Sequence, residues 1–167
     1  MHTLKPLSSS AIPSALVKAE KYRLLNEPAQ AESICEDVLR TDPSNAQALV
    51  MLILALTDEF PHHDGTVVRR AQDLVARLTT EYDRAYYGGI IAERRARALL
   101  QRGGPGRALP AGDWLREAMQ LFERAESVRP VDNDDALLRW NACARMFQQH
   151  PELMVKDEDR TAPVMLE

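Results

Sequence analysis

The pattern that decides the fold stands at residues 31–43, AESICEDVLRTDP. Counted from Ala31, apolar side chains follow 4 and 7 residues later, and Pro43 comes 12 residues later. Residues at these first two intervals lie on one face of a helix. The proline cannot continue the helix, so the helix ends there. The segment therefore predicts a helix that packs through a small residue, at which a second helix crosses closely.

The same spacing occurs at two other places in the chain. It recurs in full at residues 118–130, AMQLFERAESVRP. It also recurs at residues 71–83, AQDLVARLTTEYD, with Asp83 in place of the proline. An internal repeat of this kind indicates a stack of similar helical units, each of which buries its apolar face against the next.

Helix start and stop signals divide the chain into seven helices, and no segment has the period of two expected of a strand. The expected bounds are about 13–26, 28–40, 44–58, 66–80, 83–101, 113–128 and 133–149. Ser44 and Gln47 stand in capping-box spacing, which predicts the start of the third helix. Asp113 is expected to cap the sixth helix, after a loop rich in glycine and proline.

Size and composition suit a single helical domain. The 167 residues are 45% hydrophobic and only 5% aromatic, which favours helices packed through small side chains over a β-sandwich. The formal net charge of −4 gives no reason to expect nucleic acid as a partner. The sequence has no signal peptide pattern and no apolar run long enough for a bilayer, so we expect a cytoplasmic protein without a membrane partner. Cys35 and Cys143 are interpreted as buried, reduced thiols.

The helical repeats are expected to occupy residues 12–150, after an N-terminal extension at residues 1–11. Residues 151–167 are expected to form a polar tail that is either disordered or docked in a groove of its own or a neighbouring chain. The acidic part of this tail is Asp157, Glu158 and Asp159.

The alanine, the larger apolar residue and the helix-ending proline resemble the second half of a tetratricopeptide repeat (TPR). Tyr22 lies nine residues before Ala31, as the pattern of that family requires. The successive alanines are 40 and 47 residues apart, against about 34 in the family, and the excess falls in loops. The resemblance implies an all-α, right-handed stack of antiparallel helix pairs, with three TPR-like repeats and a C-terminal capping helix. An ordinary helical bundle is the alternative.

No residue pattern predicts catalysis, a cofactor or a metal. Gly103–Gly106 lacks the lysine and serine of a phosphate-binding loop. His62 and His63 are adjacent on a loop, without further ligands that the sequence can assign. The aspartates around Asn133 lack the glycine and distal glutamate of a calcium loop. We therefore expect a protein that is not an enzyme.

The TPR resemblance implies a concave groove, lined by the first helix of each pair, that holds a protein or peptide. On these helices we expect groove residues at Arg23, Met51, Leu54, Tyr87, Arg94, Arg97, Arg139 and Arg145. Arginine pairs bidentately with carboxylates, so the partner is expected to be acidic. The alternative is that these charges only solvate the helix faces.

Two narrower functions within the TPR family remain open. The length resembles that of the small TPR chaperones of bacterial type III secretion, and a scaffolding subunit that forms a homodimer is the other alternative. The clamp that binds the acidic C-terminus of heat-shock chaperones is not supported, because Leu16 and Glu20 stand where that clamp needs lysine and asparagine.

Overall fold

Helices joined by short turns make up the part of the chain that the structure describes. The structure is a computed structural model and describes residues 2–63 and 65–154. The helices are α1 (Ile12–Leu24), α2 (Pro28–Thr41), α3 (Ala46–Asp58), α4 (Gly65–Val75), α5 (Glu81–Arg102), α6 (Ala108–Ser127) and α7 (Asp135–Gln149). Short 3₁₀ helices stand at Ser9–Ala11 and Pro151–Met154. Over these residues, the prediction of an all-α fold with seven helices is confirmed.

The helices pack in chain order, each against the next. In addition, α1 contacts α3 and α3 contacts α5, so α1, α3 and α5 lie side by side. Helices joined by short turns run antiparallel. The odd-numbered helices therefore run in the same direction, and α1, α3, α5 and α7 all end at the same end of the molecule.

The repeated alanines lie in the packed interior. Ala31, Ala71 and Ala118 are all completely buried. One apolar cluster contains residues from the first four α-helices and from one side of α5. A second cluster contains other residues of α5 together with residues of α6 and α7. The two longest helices approach closely at Gly89, where an added Cβ atom would come within 2.6 Å of the Phe122 ring. Gly89 thus permits the close approach of α5 and α6.

Three helix ends differ from the prediction. The cap of α3 is Asn45, whose side-chain oxygen accepts a hydrogen bond from the Ala48 N–H (2.9 Å), and Ser44 instead bonds to Asp42. The α4 helix ends at Val75, and Thr80 then caps α5. The α6 helix (Ala108–Ser127) begins five residues before Asp113. The proline in its first turn is tolerated, because the N–H groups of a first turn have no hydrogen-bond partner within the helix.

The predicted polar tail begins too early. Pro151–Met154 forms a 3₁₀ helix, and its Leu153 side chain is completely buried in the second apolar cluster. Arg116 of α6 donates hydrogen bonds to the carbonyl oxygens of Leu153 (2.9 Å) and Met154 (3.2 Å). Gly112 allows this contact, because an added Cβ would stand only 2.4 Å from the Leu153 carbonyl oxygen. The rest of the predicted tail, with its acidic residues, lies outside the described residues.

Across residues 2–63 and 65–154, every helix is too short or too polar to cross a lipid bilayer.

Candidate functional site

A cavity of about 570 Å³ opens on the side formed by the odd-numbered helices. All four of these helices contribute charged side chains to its lining. They are Arg23 from α1, Asp58 from α3, Glu93, Arg94 and Arg97 from α5, and Arg139 from α7. Four arginines thus face two carboxylates, so the lining has an excess of two positive charges in a chain whose net charge is −4.

The first carboxylate, Asp58, is shared by two arginines from different helices. The Nε atom of Arg23 lies 2.8 Å from its Oδ2 atom, and Arg94 donates a hydrogen bond to Oδ1. Asp58 is the last residue of α3, where the partial negative charge of a helix C-terminus disfavours an anion. The two guanidinium groups offset this repulsion and tie α1, α3 and α5 together.

The second carboxylate, Glu93, is only 1% exposed and is also shared by two arginines. Arg97 lies one turn further along α5, and its Nη2 atom is 2.9 Å from Glu93 Oε1. The Nη1 atom of Arg139, on α7, is 3.4 Å from Glu93 Oε2. A buried carboxylate is costly unless it is paired and hydrogen-bonded, so this pairing compensates its burial. Burial alone would lower the pKa of Arg139, but the Glu93 carboxylate and Tyr86 raise it above its ordinary value.

One wall of the cavity is held in place by Arg102, at the end of α5. Its guanidinium donates to the carbonyl oxygens of Pro61 (2.9 Å) and Phe60 (3.2 Å), in the turn that follows α3. Pro61 lines the cavity. These hydrogen bonds fix the turn against α5 and so hold this part of the cavity wall in place.

The structure brings together only half of the predicted groove residues: Arg23, Arg94, Arg97 and Arg139 line the cavity. The prediction of Met51 as a groove residue is wrong, because its side chain is buried in the first core cluster, and Leu54 is half-buried against the second cluster. Tyr87 is half-buried against the first core cluster, and burial raises its pKa to about 12. Arg145 is exposed on α7 and stands outside the cavity lining.

The two carboxylates of the site were not predicted from the sequence. The one available signal is the interval of four residues between Glu93 and Arg97, which places an acid and a base on adjacent turns of one helix. Asp58 gives no such signal, because its partners lie on α1 and α5.

Neither cysteine is prepared to act as a nucleophile. Burial raises the pKa of both the Cys35 and the Cys143 thiol to about 12, so each stays protonated at neutral pH. Among residues 2–63 and 65–154, no three His, Cys, Asp or Glu side chains stand together as a group that could hold a metal ion.

The arrangement can bind an anion. Each guanidinium carries five N–H donors, and the ion pairs with Asp58 and Glu93 use one or two of them on each arginine. N–H groups therefore remain to bind an incoming carboxylate. A comparison of the chain with protein-family models, with curated proteins and with solved structures finds no match.

Proposed function

We propose that this protein is a non-enzymatic binding module that holds an acidic segment of another protein in its arginine-lined cavity. The observation that carries the proposal is the convergence of four arginines, from three helices, on one cavity that has an excess of two positive charges. The alternative, in which these charges only solvate the helix faces, does not explain why arginines from separate helices pair with the same carboxylates. These shared contacts hold the guanidinium groups in position before a partner arrives, which reduces the entropic cost of binding.

An apolar edge beside the charges favours a protein partner over a small anion. Leu24 lines the cavity and is 82% exposed, and Leu25 beside it is 57% exposed. Interfaces between proteins combine buried apolar contacts with arginine, which is enriched among the residues that dominate binding energy. A partner segment with acidic and apolar residues would satisfy both features.

The TPR interpretation belongs to the same proposal. Three alanines with a repeated spacing are completely buried, and the odd-numbered helices share one cavity. Both features support a TPR-like stack whose first helices line the binding surface. Two buried thiols, Cys35 and Cys143, support a cytoplasmic location, where thiols stay reduced.

Binding of a fluorescent acidic peptide, followed by anisotropy, tests the function. We expect the wild type to bind a Glu-rich peptide and to ignore its Gln-substituted counterpart, and we expect salt to weaken binding. Replacing Arg94 and Arg97 by glutamine should weaken binding by at least about a hundredfold, since each of the two lost charge-assisted bonds costs about 1.5–3 kcal/mol.

The matched control is the double variant Arg69→Gln/Arg145→Gln, which removes the same charge from exposed positions outside the cavity. It should bind nearly as the wild type does, and melting temperatures should show that both variants are folded. Equal binding by the cavity variant and the control would contradict the proposal. Loss of binding in both would indicate a general charge effect and would also contradict a specific cavity.

A further inference from the structure

The cavity that we propose for an acidic partner contains an acid, Glu93, that is itself shielded from solvent. Glu93 is 1% exposed, whereas the side chains of its partners Arg97 and Arg139 are 46% and 38% exposed. A bound partner can therefore reach the two guanidinium groups but not the Glu93 carboxylate. Asp58 differs, because its side chain is 21% exposed and can face a partner directly.

Glu93 uses both of its carboxylate oxygens to hold these guanidinium groups. Its Oε1 atom accepts a hydrogen bond from Nε of Arg97 (3.0 Å) and also lies 2.9 Å from Nη2 of the same side chain. Its Oε2 atom accepts a hydrogen bond from Nη1 of Arg139 (3.4 Å). Because Arg97 belongs to α5 and Arg139 to α7, one buried carboxylate aligns arginines from two helices.

Glu93 has two opposing effects on an acidic partner. Its negative charge repels the partner, and removing that charge would raise the positive excess of the cavity lining from two to three. Its hydrogen bonds, however, keep two like charges together and fix two long side chains. Without the carboxylate, the guanidinium groups would repel each other, and both side chains would have to be ordered when a partner binds, at a cost in conformational entropy.

The second effect is the larger one. Because the partner does not contact Glu93, the repulsion acts through the intervening guanidinium groups, and it weakens with distance and with salt. The hydrogen bonds of Glu93 act at contact distance and in a buried place, where charge-assisted hydrogen bonds are strong.

On the basis of the proposed function, we infer that Glu93 is a positioning residue: although it is an acid, it strengthens the binding of an acidic partner by holding Arg97 and Arg139 in place for a partner carboxylate.

Two substitutions of Glu93 separate its positioning effect from the effect of its charge. Glu93→Gln removes the charge and keeps the size, and Glu93→Asp keeps the charge and shortens the side chain by one methylene. We expect the affinity for the Glu-rich peptide, measured by anisotropy, to fall from the wild type to Glu93→Asp and further to Glu93→Gln. The total loss should be about tenfold, because two arginine side chains must then be ordered on binding. If the charge alone mattered, Glu93→Gln would bind most tightly and Glu93→Asp would equal the wild type.

Salt dependence gives a readout that a loss of structure would not produce. Glu93→Gln should bind the peptide more weakly than the wild type and yet lose more affinity as salt is added, because the positive excess of its cavity is larger. Glu27→Gln removes one negative charge at an exposed position next to Asn26, which lines the cavity, and should not weaken binding. Leu153→Ala removes buried apolar contacts outside the cavity lining and should bind as the wild type does wherever it is folded.

The outcomes separate this inference from the function on which it rests. If folded Glu93→Gln binds the Glu-rich peptide as tightly as the wild type or more tightly, the positioning role is refuted while the acidic-segment function stands. Equal binding by Glu93→Asp and the wild type would refute it as well, and this variant serves the test even if Glu93→Gln does not fold. If Leu153→Ala loses as much affinity as Glu93→Gln, the loss reports stability and the inference fails. If the wild type does not distinguish the Glu-rich peptide from its Gln-substituted counterpart, the proposed function fails and this inference fails with it.

Discussion

Ala31, Ala71 and Ala118 are single residues on which we expect helix packing to depend, because each is completely buried. Replacing any of them by arginine should lower the free energy of unfolding by about 3 kcal/mol or more, since a long charged chain would have to enter a packed interior. His62→Arg, at an exposed loop position, should change it little. Chemical denaturation measures both. Equal tolerance at the alanines and at His62 would show that the crossings are not where we place them.

Glu59 gives a residue-scale prediction that depends on pH. Burial, and the nearby Glu32 carboxylate, raise the pKa of Glu59 above its ordinary value, although His63 and Arg70 partly oppose them. A raised pKa in the folded state means that this group favours folding in its protonated form. Its contribution is fully present below the pKa of the unfolded chain and is lost as the pH rises through the folded pKa.

Glu59→Gln, which keeps the side chain neutral, should therefore raise the free energy of unfolding at pH 7. The gain should shrink to nearly nothing as the pH falls toward 4, where the wild-type carboxyl is itself protonated. Denaturation of both proteins at each pH measures the difference. Glu117→Gln, at an exposed position on α6, is the control and should show little change. A loss of stability in Glu59→Gln at pH 7 would contradict a raised pKa of Glu59 in the folded protein.

Among the structural elements, the 3₁₀ helix Pro151–Met154 stabilises the end of the stack, since its Leu153 side chain is completely buried. Leu153→Ala should lower the free energy of unfolding by about 2–4 kcal/mol, from lost apolar burial and the cavity left behind. Met154→Ala, at a position that is 62% exposed, should cost less than about 0.5 kcal/mol. A similar small cost at both positions, measured by denaturation, would mean that this element does not contribute to the core.

The start of α2 depends on local chemistry and was predicted correctly from the sequence. Pro28 marks the start of α2 because proline fits the first turn of a helix and no later one. The start of α6 was missed, because Gly112 resembles a loop residue in the sequence. Its role is to admit the backbone of Leu153, and that contact joins distant parts of the chain. Local patterns do not carry such information.

On the scale of the whole molecule, the same difference between local patterns and contacts of distant residues explains how much of the site was predictable. Arg94 and Arg97 follow from helical spacing on one element. Met51 was misplaced because α3 is apolar around most of its circumference, so its apolar residues enter the core instead of forming one exposed face. The carboxylate of Asp58 acquires its partners only when α1, α3 and α5 are packed together. Pairings between helices are a property of the tertiary structure.

The shared carboxylates have a thermodynamic consequence for the whole chain. Arg23 lies on α1 and Arg139 on α7, so the cavity is complete only when the helices from α1 to α7 are folded. A ligand that binds there binds the native state and not the unfolded chain. Its binding free energy is then added to the free energy of unfolding, by RT ln(1 + [L]/Kd). Fraying of either terminal helix would release the ligand, so occupancy of the cavity and integrity of both ends of the stack are linked quantities.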